Sequence, residues 1–148
     1  MKFFTSAWRD AAGDPDLAVF RQYESYLASV RHRLPADLLR LWDDHTLHDA
    51  RVVAIDTDVQ GQRLSLVLNG WDQPLQHPMR YAMTFIGITA GGNLPEGVSL
   101  EALEDLGYVE MEALDVGVEF RMLFVSGIEW VIRCQDVAVD VAPRTLTP

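Results

Sequence analysis

Two clusters in this chain carry residue types that could do chemistry. His45-Thr46-Leu47-His48-Asp49 places two imidazoles and a carboxylate in one short stretch. On a continuing helix, His45 and His48 would lie three apart and could face one ion, with Asp49 or Asp44 as a carboxylate ligand. Zinc-binding catalytic helices instead separate their histidines by four and place a glutamate base beside the first, and that pattern is absent. The simpler expectation is a polar junction where a helix gives way to a strand, with Asp49 accepting hydrogen bonds from backbone or imidazole. Neither a metal nor a cofactor is expected. The second cluster is Glu110, Glu112, Glu119 and Arg121. Residues two apart on a strand share a face, so Glu110 and Glu112 stand together, with Glu119 and Arg121 on the neighbouring strand. Paired carboxylates serve glycoside hydrolysis, but exposed carboxylates with an arginine across the ladder are far more often surface pairs.

A loop from Gly70 to Pro78 adds Trp71 and His77, followed by Tyr81, as a candidate recognition loop, since aromatic residues concentrate at interfaces. Trp8, Trp42 and Trp130 are expected to cover the interface of helix and sheet, with Trp71 the exception. Gly91-Gly92-Asn93 lacks the lysine and following helix of a phosphate cradle, and no nucleophile elbow or dinucleotide fingerprint occurs. The candidate binding residues are therefore His48, Asp49, Trp71, Glu110, Glu112 and Glu119, and no catalytic residue is assigned.

The elements that must position these residues follow from periodicity. Thr5 is placed to cap a brief helix carrying Trp8, and Gly13 with Asp14-Pro15 breaks it. Asp14 or Asp16 would cap a second helix to about Arg33, whose face at three-and-four spacing is Leu17, Phe20, Tyr23 or Glu24, Leu27, and Val30 or Arg31. Pro35 opens a third helix running to about Asp44. Beyond His48 the period becomes two: strands are expected over 52–59, 64–69 and 79–90, with a turn at Gln60-Gly61-Gln62. Ser99 caps a short helix, and strands over 108–114, 118–125 and 128–141 follow, joined at Val116-Gly117 and Ser126-Gly127. In the terminal strands Val109, Met111, Phe120 and Met122 alternate with Glu110, Glu112, Glu119 and Arg121, the pattern of one packed and one wet face. The fold class is α+β: an N-terminal helical hairpin packed on a mostly antiparallel sheet of about six strands that ends in a β-meander. One domain is expected over residues 1–148, helical to about 45 and sheet from about 50 to 142.

Composition narrows the function classes. The 148 residues are 49% hydrophobic and 23% charged, with a formal net charge of −10, as in a globular chain able to bury a core. Such a charge repels phosphate backbones, so no nucleic acid is expected as a partner. No apolar run reaches the roughly 20 residues of a membrane span and the start lacks a signal-peptide core, so no membrane is expected either. The lone Cys134 fits a small buried residue in a reducing compartment, and the expected location is cytoplasmic. From Glu96 onward 11 acidic residues face three arginines, whereas the first 95 positions are nearly balanced.

Met1-Lys2-Phe3-Phe4-Thr5 with Trp8, Leu47-His48-Asp49-Ala50, and the run from Tyr108-Val109-Glu110-Met111-Glu112 through Leu123-Phe124-Val125-Ser126-Gly127 to Asp136-Val137 resemble a bacterial family of small proteins known only as a domain of unknown function. The resemblance implies a helical start and a terminal meander and transfers no activity. Small acidic α+β proteins also occur among the immunity proteins of bacterial toxin systems, an analogy of type. Charge asymmetry together with missing catalytic motifs favours a non-enzymatic protein-binding module that offers an acidic sheet face to a basic protein, in the manner of an immunity protein. An exposed edge in the meander would also permit a homodimer. The alternative is a small-ligand module or metal-dependent enzyme with its site near His48 and Asp49. That alternative requires a concave pocket between helices and sheet, bordered by the Gly70–Pro78 loop.

Overall fold

A computed structural model describes residues 1–11 and 18–146. The proposed caps Asp14 and Asp16, the break at Gly13 and the apolar position Leu17 lie outside the described residues. Helix α1 (Ser6–Asp10) starts as its sequence directs, with the Thr5 hydroxyl accepting from the Trp8 N–H at 3.0 Å. Helix α2 (Ala18–Val30) buries Tyr23 and Leu27 and ends in a 3-10 turn at Arg31–Arg33. Helix α3 (Ala36–Asp44) follows Pro35 and buries Leu38 and Leu41. Asp44 is its last residue, and His45 is already extended. His45 and His48 therefore do not share a helix face.

Seven strands are seen among the described residues, in two antiparallel sheets rather than one sheet of six. The first sheet runs in the order β1 (Arg51–Asp58), β2 (Arg63–Trp71), β3 (Pro78–Ile86) and β7 (Asp136–Pro143). The second is the meander β4 (Leu106–Ala113), β5 (Val118–Phe124) and β6 (Glu129–Cys134). The difference arises where one long strand was expected over 128–141. The chain leaves β5 at Cys134, turns at Gln135, and joins β3 at Asp136. This is a corner at which one strand changes sheets. The Gln135 N–H donates to the Ile86 carbonyl at 2.9 Å, which fixes the crossing. The turns at Gly117 (φ +86°) and Gly127 (φ +88°) form where the sequence places them.

Cross-strand rows make the shared core. Leu64–Phe85–Val137 and Leu66–Met83–Val139 are aligned in register across the first sheet and buried. Phe85 meets Phe120 of the second sheet at a ring separation of 5.6 Å. Two sheet edges are closed by helix side chains. On β4 the N–H groups of Met111 and Ala113 donate to the hydroxyls of Tyr23 (2.6 Å) and Tyr26 (3.0 Å) from α2. On β7 the Val139 N–H donates to Asp37 at 2.7 Å, and its carbonyl accepts from Arg40 at 3.1 Å, both from α3. Such closure removes the unpaired ladder groups that recruit a further strand. No described helix is long and apolar enough to cross a membrane.

Helix α4 (Leu100–Leu103) is capped by Ser99, as expected, and ends at Glu104 with φ 62° and ψ −154°. That backbone region is essentially reserved for glycine and costs a side chain about 1–3 kcal/mol. Glu104→Gly should relieve the strain, offset by about 0.5–1 kcal/mol of extra unfolded-chain entropy. The expected net gain is about 1 kcal/mol, a rise of about 2–4 °C in Tm for a chain of this size. A calorimetric melt with an unchanged or lower Tm would show that the strain is illusory.

Candidate functional site

The terminal carboxylates do not form a wet face. Glu110, Glu112, Glu119 and Arg121 share one face, as their spacing requires, but Glu110 is 1% exposed, Glu119 4% and Arg121 7%. The cover is the N-terminal strap, residues 1–5, together with Tyr26 of α2. One carboxylate fastens the strap: Glu110 Oε1 accepts from the N–H groups of Phe3 and Phe4, both at 2.6 Å, and Oε2 accepts from the Lys2 N–H at 2.8 Å. Arg121 donates to the same Oε2 at 3.2 Å and also to Glu112 and Glu119. Lys2 pairs with Glu112 at 2.5 Å, and Arg133 with Glu119. Three carboxylates thus meet three cations, an array that balances its charge and fills its lone pairs, as burial demands. Desolvation works to raise the Glu112 carboxyl, but hydrogen bonds from Lys2 and Arg121 hold it below the usual glutamate range. The Glu110–Glu112–Glu119 surface expected from alternation is thus an internal clamp.

His48 and Asp49 lie elsewhere, on the crossing from α3 to β1. His48 Nδ1 stands 3.0 Å from Asp49 Oδ1, with both side chains about half exposed. Asp49 turns the chain in the left-handed region, φ 61°, which aspartate tolerates. The crossing is tied to β4 by two backbone bonds: the Asp49 N–H donates to the Leu106 carbonyl (2.8 Å), and the Leu106 N–H to the Ala50 carbonyl (2.7 Å). Just beyond, the β4–β5 register shifts between Leu106 and Tyr108. A bulge there re-aims successive side chains, and Tyr108 and Val109 both border a cavity of about 410 Å³ between the helices and the second sheet.

The cavity lies within the size range of small-molecule sites. Phe4 of the strap, Leu41 and Trp42 of α3, and Met111 and Phe120 of the second sheet line its apolar body. His45, Thr46, His48 and Gln73 supply the polar groups. Gln73 comes from the β2–β3 loop, which Asp72 organises by accepting from the N–H groups of Gln76 (2.8 Å) and His77 (3.1 Å). Desolvation acts to raise the Asp72 carboxyl, but these bonds and the His77 ring hold it below the usual range. Gln73 Nε2 donates to the Asp43 carbonyl at 3.1 Å and fastens the loop to α3.

Trp71 does not line the cavity. It is half-buried at the end of β2, and its carbonyl accepts from the Tyr81 hydroxyl at 2.6 Å. Tyr81 lies in β3, within the strand expected over 79–90, and is fully buried, so it takes no part in an exposed aromatic loop. Trp8 of α1 does meet the sheet, at Tyr108 of β4, whereas Trp42 packs on Tyr23 of α2 and borders the cavity, and Trp130 belongs to β6 and donates to the Gly91 carbonyl at 2.9 Å. Cys134 is buried, and desolvation pushes its thiol up to about 11. No three His, Cys, Asp or Glu side chains are placed to hold one metal ion among the described residues.

A family described as "Protein of unknown function (DUF4085)" matches residues 3–134. The chain belongs to this family. In this DUF4085 member the matched span runs from Phe3 of the strap to the last residue of β6, so it holds every described lining residue of the cavity and all of the clamp except Lys2. No curated protein matches the chain. The family brings no established activity, so a functional reading rests on the site itself.

Sequence reasoning found the cavity's mouth but missed its body. Met111 and Phe120 read as residues of a packed strand face, and no spacing rule unites them with Phe4, Trp42 and Leu106, so far apart in the chain.

Proposed function

We propose that the protein is a non-enzymatic binding protein that holds a small, mostly apolar molecule between its helices and its second sheet, in the cytoplasm. The carrying observation is the cavity itself, an aromatic and aliphatic chamber with few polar groups, to which the strap, α2, α3, the β2–β3 loop and the second sheet each contribute. The His48–Asp49 pair could serve proton transfer. However, the described lining residues include no serine, cysteine, lysine or carboxylate to work with it, which favours holding a ligand over turning one over. A basic protein partner remains open to the acidic residues outside the clamp, but Glu110 and Glu119 are spent internally.

Fragment titration followed by methyl NMR tests this. Neutral aromatic fragments should shift Leu41, Leu106, Val109 and Met111 together and saturably, and Val109→Trp, which fills the chamber, should weaken binding by at least about tenfold. Shifts scattered over the surface of a folded protein would remove the proposal.

A further inference from the structure

Resting on that reading, we infer that the cavity selects an uncharged aromatic molecule bearing a hydrogen-bond donor, received by His48 Nε2 and the Gln73 side-chain carbonyl. Three observations converge on this class.

The first is charge. Among the described lining residues there is no Lys, Arg, Asp or Glu. Two carboxylates adjacent in the chain to lining residues have partners: Asp43 pairs with Arg31 at 2.6 Å, and Asp49 lies 3.0 Å from His48. An ionic ligand would lose hydration against this aromatic lining with no counterion among the described lining residues, and desolvating an unpaired charge is costly. The net charge of −10 further opposes an anion.

The second is the state of the polar groups. Asp49 Oδ1 stands 3.0 Å from His48 Nδ1, and in the neutral tautomer that places the ring proton beside this carboxylate, Nε2 keeps its lone pair as an acceptor. Gln73 spends an amide hydrogen on the Asp43 carbonyl, and its own side-chain carbonyl stays free to accept. Thr46 Oγ1 already accepts from the His48 N–H at 3.1 Å. The rim thus sets two acceptors, His48 Nε2 and the Gln73 side-chain carbonyl, beside the Thr46 hydroxyl and the His45 ring, and a phenolic O–H, which donates to the first pair and accepts from the others, is their complement.

The third is the shape of the chemistry inside. Phe4 and Tyr108 are stacked at 5.4 Å with an interplanar angle of 20°, and Phe20 stands 4.8 Å from Phe4. Rings so grouped offer faces and edges that suit a planar aromatic body.

Four compounds with one naphthalene body separate the alternatives: naphthol, methoxynaphthalene, naphthoate and naphthylmethylammonium. In calorimetric titrations of the full chain at neutral pH, naphthol should bind about tenfold tighter than methoxynaphthalene, and tighter still than either ion. His48→Phe should remove most of naphthol's advantage while leaving methoxynaphthalene within about threefold, with Tm reporting that the fold persists. Equal or tighter binding of naphthoate or the ammonium compound would overturn the inference and leave the cavity reading standing. Equal binding of naphthol and methoxynaphthalene would overturn the donor requirement. If none of the four binds to the folded protein, the cavity reading falls and this inference falls with it.

Discussion

Arg121→Met is expected to destabilise the protein by about 3–5 kcal/mol, a large share of the 5–15 kcal/mol that holds a typical domain together. The guanidinium is 8% exposed at its side chain and touches three carboxylates. Taking it away leaves Glu110 and Glu119 buried with excess negative charge. Glu119 keeps Arg133, whereas Glu110 keeps only backbone donors. A planar five-donor fork can serve several carboxylates at once, which a lysine ammonium on a flexible stem cannot. Arg121→Lys should therefore recover less than half of the loss. Urea denaturation would read the change as a midpoint lower by roughly 2 M. A loss below about 1 kcal/mol would mean that water reaches the clamp and that burial is not what makes it strong.

That clamp marks the limit of what alternation can say. Period-two spacing told which side chains share a face, and Glu110 does stand beside Arg121, and Glu112 beside Glu119. It could not tell what lies over that face, because the cover comes from residues 1–5, more than 100 positions away in the chain. A hint was present: Leu123 falls in phase with Glu119 and Arg121, and a leucine on a wet face is an oddity. Leu123 is fully buried. Local signals were more faithful. The Thr5 and Ser99 caps, the apolar face of α2 and the glycine turns all follow from forces acting within a few residues. The split into two sheets was hidden for the opposite reason. The run Ile128–Val141 carries a strand pattern throughout, and Gln135 carries no glycine or proline to mark the corner. Only the pairing partners, β5 before it and β3 after it, show that the chain has changed sheets.

Glu110→Ala is expected to cost about 3–5 kcal/mol and to open the cavity as well. The carboxylate accepts from three successive backbone N–H groups and from Arg121. Charge-assisted bonds of this kind are worth roughly twice a neutral one, and each stranded donor adds its own desolvation cost. Glu110→Gln separates charge from geometry. Its carbonyl can replace one oxygen and keep two N–H donors, but its amide would point hydrogens at the Lys2 N–H and Arg121, setting donor against donor. Gln should therefore recover part of the loss, never all of it. The functional link runs through Phe4, whose N–H is held by Glu110 and whose ring walls the cavity. Releasing the strap should weaken naphthol binding together with stability, and should raise amide exchange at Lys2, Phe3 and Phe4 above that of the β5 core. If exchange at these three amides stays as slow as in β5 while stability falls, the strap is held by its aromatic packing on Tyr23 and Tyr108, and Glu110 is only one fastening among several.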